Sequence, residues 1–559
     1  MIIGIDMGGT HIDGVLLEAG RIQRSLKQPV RADDLPGTIW GMLETLLEDV
    51  PAEAIRRIHL STTISTNAIV EDKTAEVAVL LQAGPGLKWD YSTLGSHVYH
   101  LEGYVDHRGE MVQPPSQREL RSLRQTLGAS EVEALAIVSK FSTRNPASEQ
   151  QIAELFASDY AHITLGHSLS GKLNYPRRVH TAYLNAAVHA VFARFADEMQ
   201  AALQALGVTA PIYILKADGG TMDLETAKQK PVESILSGPA ASFMGLSALF
   251  PDLTQDAVLL DIGGTTTDIF FLADGIPLFE PHGIEIAGHK TLVRAVYSAS
   301  MGLGGDSWVR VEDGDLRIGP QRLGPAVAYG GEHLTPTDAL VVLGRMEGAE
   351  PHRSRAQMES LAQALELSVE AAAEQILEQM CQGLASAVAE ILERINSRPV
   401  YTIQDLLHGD PVAPQRVRAI GGPVQALAPS LEAAFGLQVE VPEAFTIANA
   451  IGAALAKPTA AITLHADTER RRLIIPEREV DEPIDRSYNL RQAETRALQE
   501  LHTIGEALGL PDAALEAEIT EAESFNMVQG YAAAEKNIRV RAQIKPGLLE
   551  RLEQSHAST

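Results

Sequence analysis

Apolar positions along the chain fall into two kinds of run. Short, nearly continuous ones stop abruptly at glycine: Ile2 to Thr10 reads IIGIDMGGT, and Val258 to Thr267 reads VLLDIGGTTT. Each has an aspartate near the end of the apolar stretch (Asp6, Asp261), a Gly-Gly-Thr turn, and a second aspartate at the same offset (Asp13, Asp268). More apolar residues follow, so two strands joined through Gly-Gly predict a hairpin at both places. Longer runs step by three and four: Val188, Val191, Phe192, Phe195, Met199 and Leu203, then Ile376, Met380, Leu384, Val388, Ile391 and Ile395. That spacing predicts two helices with one buried face each. Strands alternating with helices predict an α/β architecture in both halves.

The repetition continues downstream. Ile212–Gly220 (IYILKADGG) and Val417–Gly422 (VRAIGG) both read as strands ending in Gly-Gly. Small-residue segments follow them, Ser237–Gly245 and Ala448–Ala456, suited to helices that cross closely. Four matched features in one order imply two homologous halves meeting near residue 255. Residues 463–559 are more charged, with a helical Gln492–Leu508 and an alternating Ile538–Ile544, and read as a small C-terminal α+β appendage. The expected domains are therefore 1–255, 256–462 and 463–559.

A Gly-Gly-Thr turn exposes successive backbone N–H groups and suits an anion, the Thr hydroxyl adding a donor. Two such turns facing one another would hold the β- and γ-phosphates of a nucleotide. Asp6 and Asp261 would then hold Mg²⁺ through water or orient an attacking group, since carboxylates repel phosphate. Gly166–Lys172 satisfies G-x-x-x-x-G-K, but Leu173 replaces the hydroxyl residue that would ligate Mg²⁺, so a P-loop is rejected.

Composition narrows the classes further. At 559 residues, length over about 150 suggests three or four folding units. Lys plus Arg total 46 and Asp plus Glu 73, a net charge of −27 that argues against nucleic-acid or anionic-membrane binding. It favours solubility over aggregation and leaves a homo-oligomer open. The single cysteine, Cys381, excludes an internal disulfide, a four-thiolate zinc site and a self-held iron–sulfur cluster, and reads as an inert thiol. No apolar run approaches the roughly 18 residues of a membrane span, and no basic region opens the chain, so a cytoplasmic setting is expected. His97 and His100 are close enough to share a metal but lack a further ligand pattern.

The paired hairpins, Gly-Gly strand ends and small-residue helices resemble the actin, sugar kinase and Hsp70 ATPase superfamily. More narrowly, the chain resembles the hydantoinase A/5-oxoprolinase family, which includes acetone carboxylase β-type subunits. The segments that carry this are D-M-G-G-T-x-x-D at Asp6, S-T-T-I-S-T-N-A from Ser61, and R-R-V-H-T-A-Y-L-N-A from Arg177. K-A-D-G-G-T-M from Lys216, K-P-V-E-S-I-L-S-G-P-A from Lys230 and D-I-G-G-T-T-T-D at Asp261 continue the series. M-G-L-G-G-D-S from Met301 and T-P-T-D-A-L-V-V-L-G from Thr335 complete it, so that the likeness covers roughly residues 1–460. Departures are His11 and Ile12 where the family has Phe and Thr, Asp306 within a glycine-serine turn, and a shortened Gly421-Gly-Pro423. The C-terminus is also shorter than in typical members.

The resemblance implies a two-lobed, actin-like (ribonuclease H-like) ATPase fold closing over ATP and Mg²⁺, and ATP-dependent activation of a carbonyl. The leading expectation is an A-type subunit that opens a cyclic amide or imide, hydantoin or oxoproline-like, with a separately encoded B-type hydrolase. Alternatives are a small-molecule kinase, the ATP-using subunit of a ketone carboxylase with its carboxylase partner, or a chaperone-like ATPase. Asp6 and Asp261 are the expected catalytic and Mg²⁺-organising residues. Gly8, Gly9, Thr10, Gly263, Gly264 and Thr265 would cradle phosphate, with His11 and Thr266 as additional donors. Gly421 and Gly422 would let adenosine approach the backbone. Thr62, Thr63, Thr66 and Asn67 either cap a helix or, by the resemblance, line the substrate side. Asp268 is expected to brace its hairpin, and Lys216 and Arg177–Arg178 to be solvated.

Overall fold

The computed structural model describes residues 1–9, 11–31, 35–86, 89–250, 252–280, 282–397, 411–529 and 532–553. The chain forms two compact units. The first comprises Met1–Ala240, Glu280–Ala295 and Ala453–Glu550, and the second is built chiefly from Ala241–Phe279 and Val296–Gly452.

In the first unit a six-stranded sheet runs Thr221–Asp223, Ile212–Leu215, Arg57–Thr62, Ile2–Met7, His11–Glu18, Arg21–Pro29 in spatial order. Ile2–Met7 is buried along its whole length, which explains its unbroken apolar character. It pairs antiparallel with His11–Glu18, forming the expected hairpin, and parallel with Arg57–Thr62, which in turn pairs parallel with Ile212–Leu215. The 31-residue helix Tyr175–Ala205 buries Val188, Phe192, Phe195, Met199 and Leu203 of the stripe predicted from spacing and leaves Val191 half-buried. A parallel sheet ordered Ile163–Leu165, Ala134–Ser139, Val77–Gln82, Val98–His100 adds a second layer to this unit. Its third sheet is antiparallel and five-stranded, from Ala461 to Ile544, with helix Leu490–Ala507 sharing its core through Ala493, Ala497 and Leu501. This is the α+β appendage.

The second unit repeats the first sheet's plan. Ala257–Ile262 and Thr267–Ala273 form an antiparallel hairpin, and Ala257–Ile262 pairs parallel with Arg416–Ile420, next to which lies Val439–Glu440. Helix Val369–Asn396 packs its Ile376, Met380, Leu384, Val388 and Ile391 into this core. Cys381 is buried there, and burial pushes its thiol up to about 12. The small-residue segments pack where Gly245 would place a Cβ 2.2 Å from the Ala448 carbonyl and Gly452 one 2.2 Å from that of Ala241. Small residues there permit direct backbone contact.

One pairing inferred from the sequence is corrected. The strand ending at Gly421–Gly422 adjoins the hairpin, the place Arg57–Thr62 holds in the first unit; Ile212–Leu215 lies one strand further out, like Val439–Glu440. A Gly-Gly strand end records a close approach of backbone, not a strand's place in its sheet. Among the described residues no helix is long and apolar enough to cross a membrane.

Candidate functional site

The expected residues divide between the two units. In the first hairpin Asp6 faces Asp13 across the strands, and the turn closes with the Gly8 N–H donating to the His11 carbonyl at 3.0 Å. In the second, Asp261 faces Asp268 and the Gly263 N–H donates to the Thr266 carbonyl at 2.9 Å. A Cβ on Gly8 would lie 3.2 Å from that His11 oxygen, and one on Gly263 would lie 3.2 Å from that of Thr266. The two turns therefore have the same closure as well as the same sequence grammar. Gly9, His11, Thr265 and Thr266 are exposed at the tips, while Thr10 lies outside the described residues.

The electrostatics of the hairpins differ. Asp13 is gripped by the Lys27 ammonium, 2.7 and 2.8 Å from its two oxygens, from the strand alongside. Asp268 instead pairs in register with Ser300 and has no lysine or arginine ion pair among the described residues. Burial first, and then the neighbouring Asp261 carboxylate, push the Asp268 carboxyl up to about 6. Asp261 accepts from the Ser242 hydroxyl at 2.6 Å and from the Asn449 amide at 3.3 Å, both on Oδ2. This fixes the carboxylate at the strand end.

Gly421 sits directly against this aspartate. Its φ is +106°, and a Cβ there would be 2.2 Å from the Ile262 carbonyl oxygen and 2.9 Å from Asp261 Oδ1. Glycine is required on both counts. Gly422 has nothing within 4 Å of where its Cβ would be. The carbonyls of Gly263 and Gly264 accept from the N–H groups of Gly305 (2.9 Å) and Asp306 (2.7 Å), so the Met301–Ser307 motif buttresses the second turn from behind. Asp306 is paired with Arg322 at 3.0 Å.

In the first unit the Thr62–Asn67 segment adjoins the first hairpin. Ser61 is in register with Asp6 and Thr62 with Met7. The Thr63 hydroxyl donates to the Met7 carbonyl at 3.2 Å, and Asn67 donates to Thr63 at 3.2 Å. Thr66 accepts from the Leu236 N–H at 3.0 Å, and Ser237 donates to the Thr62 carbonyl at 2.9 Å. Much of this cluster's bonding thus anchors the start of helix Ile64–Val70 to the hairpin strand and to Leu236–Ser237.

Several residues escaped the sequence reading. Ser242 and Asn449 lie within the small-residue segments, where a polar side chain in an otherwise small apolar run was the available signal. Lys216 was expected in solvent but is 8% exposed and pairs with Asp218 at 3.4 Å. Arg178 is fully buried, donating to the carbonyls of Lys172, Ser139 and Lys140, and Arg177 reaches the carbonyls of His282 and Thr291. Both arginines clamp backbone. His97 is spent against Tyr99, 3.3 Å away, and among the described residues no three His, Cys, Asp or Glu side chains cluster as a metal site. The facing Asp261 and Asp268 carboxyls fit an ion such as Mg²⁺, which keeps several waters and needs one or two protein carboxylates.

Comparison with known proteins agrees with this fold. The model of the hydantoinase/oxoprolinase N-terminal region matches residues 2–159, and that of hydantoinase/oxoprolinase matches residues 178–462. Caprolactamase subunit alpha of Pseudomonas jessenii is 26% identical over 379 residues, 61% of this chain and 54% of its own. The 5-oxoprolinase of Saccharomyces cerevisiae is 29% identical over 257 residues, 44% of this chain and 19% of its own. Acetophenone carboxylase gamma subunit of Aromatoleum aromaticum is 25% identical over 447 residues, 69% and 60%. The chain thus spans about half of the caprolactamase subunit's length and a fifth of the yeast protein's. Among solved structures, nucleotide-free acetone carboxylase superposes with a TM-score of 0.69 at 17% identity, covering 99% of this chain and 88% of its own. The ATP-dependent caprolactamase of Pseudomonas jessenii gives 0.69 at 20%, covering 97% and 87%. At those identities the likeness is one of fold. With family models matched across most of its length, the chain belongs to the hydantoinase/oxoprolinase family.

Proposed function

We propose that this chain uses ATP to phosphorylate the carbonyl oxygen of a cyclic amide or imide, as the A-type subunit of a two-component hydrolase of cytoplasmic setting. The observation that carries the reading is the duplicated turn: Gly8 and Gly263 close on His11 and Thr266 in the same way, each directly after a strand whose next-to-last residue is an aspartate. Exposed backbone at such turns suits phosphate. Gly8, Gly9, Thr10 and His11, with Gly263, Gly264, Thr265 and Thr266, are the proposed phosphate contacts, and Gly421 and Gly422 the proposed contacts to adenosine. Asp6 and Asp261, with Asp268 beside the latter, would hold Mg²⁺ through water, and the ion would neutralise charge on the phosphoryl oxygens.

The chemistry follows from amide resonance. The partial double bond to nitrogen places electron density on oxygen and protects the carbon. Attack by that oxygen on the γ-phosphorus breaks the bond to ADP and leaves an O-phosphorylated imidate. Water added at carbon gives a tetrahedral species that expels the ring nitrogen, and a second water releases phosphate from the acyl phosphate. The protein's part is to orient the oxygen in line, to meet the phosphoryl charge and to exclude water until transfer is done. A separately encoded partner supplies the hydrolytic half.

A second reading keeps the phosphorylation and changes its fate: a ketone handled this way gives an enol phosphate ready for carboxylation. It is favoured by the acetophenone carboxylase subunit, whose match covers 69% of this chain. ATP consumption with and without a lactam, and with a ketone plus bicarbonate, separates the two. Lactam-stimulated ADP release that falls by about 10²-fold or more in Asp261→Asn, with the fold retained by circular dichroism, is the expected outcome. Full activity in that variant would overturn the site assignment.

A further inference from the structure

The C-terminal sheet has one apolar face and one charged face. Leu464 and Ala466 of strand Ala461–Asp467 join Leu473, Ile538 and Val540 in the core, so His465 and Asp467, one step out of phase, belong to the opposite face. Antiparallel register sets Arg539 across from His465 and Arg472 across from Asp467. On this face lies a cavity of about 30 Å³, wholly within the first unit. Arg108 and Arg144, from far earlier in the chain, line it together with Arg470, Arg472, His465 and Asp467. The space suits a few water molecules or one compact ion and is far too small for a nucleotide.

Four guanidinium groups thus meet one carboxylate, and most of their charge is answered from outside the cavity. Arg108 pairs with Glu469, Arg470 with Glu110 at 3.1 Å, and Arg472 with Asp481 at 2.8 and 2.5 Å. Arg144 is the exception. Among the described residues it makes no ion pair: its Nη1 donates to the His107 carbonyl, and its Nε is buried with no hydrogen-bond partner. The two carboxylates that act on it from further off are committed to turns. Asp467 accepts from the Glu469 and Arg470 N–H groups at 2.9 and 3.0 Å, and Asp106 from those of Arg108 and Glu110 at 2.9 and 2.8 Å.

His465 adds a second unmet group. It is 7% exposed, and its Nε2 lies 3.2 Å from the Gly171 carbonyl, which only accepts. Nε2 therefore holds the hydrogen, and the buried Nδ1 keeps a lone pair that nothing meets. The Arg539 Nε is likewise buried without a partner, its Nη2 being taken by Glu521 and Glu523 at 3.2 and 2.9 Å. Unmet donors and a cationic charge thus lie beside an unmet acceptor. Water would satisfy the hydrogen bonds but leave the charge of Arg144 unanswered.

We propose that this cavity binds a small oxyanion that keeps a proton near neutral pH, hydrogen phosphate or hydrogencarbonate, which donates its O–H to His465 Nδ1 and accepts from Arg144 Nε. Such an ion ties the Arg108 and Arg144 segments to the C-terminal sheet by charge-assisted hydrogen bonds. Sulfate has nearly the shape of hydrogen phosphate but carries no proton near neutral pH. To receive it His465 would first have to gain one, and burial, with Arg144 and Arg539 adding to it against the Gly171 carbonyl, holds that imidazole down to about 4.

The test is titration calorimetry of sodium phosphate, sodium hydrogencarbonate and sodium sulfate into the full chain near neutral pH, at one ionic strength. Phosphate or hydrogencarbonate should bind once per chain, the tighter of the two identifying the ion, and sulfate at least about 10-fold more weakly. Arg144→Met should weaken binding by about 10-fold or more and Arg144→Lys by less, while His465→Phe should abolish the preference over sulfate. ATP titrations and circular dichroism should match the parent in all three variants, which separates this site from the glycine turns. Equal affinity for sulfate, binding of neither protic ion, or binding indifferent to Arg144→Met and His465→Phe would overturn the proposal. Should a variant fail to fold, the sulfate comparison on the parent chain decides alone.

Discussion

At the scale of single residues, the two hairpins solve one problem differently. Each sets two aspartates opposite one another, an arrangement that like-charge repulsion disfavours. Lys27 answers Asp13, whereas among the described residues Asp268 has Ser300 and no cation, and is raised to about 6. A carboxyl whose pKa is higher folded than unfolded binds its proton more tightly in the native state. Stability should therefore fall as pH rises from about 4 to about 6 and level off above, by up to about 3 kcal/mol from this group. Urea unfolding across that range should show the slope, and Asp268→Asn should flatten it. The adjacent glycines make a sharper contrast. Gly421→Ala meets both a positive φ and a carbonyl 2.2 Å away, so it should destabilise by about 2 kcal/mol or more. Gly422→Ala meets nothing and should unfold like the parent. A loss of ATP affinity in Gly422→Ala, by titration calorimetry, would mark a position kept small for the nucleotide alone.

At the scale of elements, legibility followed locality. The hairpins were readable because a strand, a Gly-Gly turn and a returning strand lie together in the sequence, and Gly8 and Gly263 close their turns in the same way. The helix over Tyr175–Ala205 was readable from Val188 to Leu203 because periodicity records the buried face. Sheet position was not. Both Ile212–Leu215 and Arg416–Ile420 run into Gly-Gly, yet they occupy different places in their sheets, because strand order is fixed by partners distant in sequence. Lys216 was misread for the same reason. Its burial comes from packing beside Lys230–Glu233 and segments far along the chain, none of which leaves a mark at Lys216 itself. Asn449, holding Asp261 from across 188 positions, is a further case.

At the scale of the whole molecule, the chain belongs to a family and folds as its structural relatives do, but the relatives' names divide between lactam opening and ketone carboxylation. In the proposed function both outcomes begin by moving a phosphoryl group to a carbonyl oxygen, so both require the nucleotide. That proposal has both hairpins serving the same ATP. Titration calorimetry of ATP–Mg²⁺ into the parent chain, Asp6→Asn and Asp261→Asn tests this directly. One ATP should bind per chain, at least about 10-fold more weakly when either aspartate is replaced. Two independent sites, or a single site indifferent to one of the two substitutions, would contradict it.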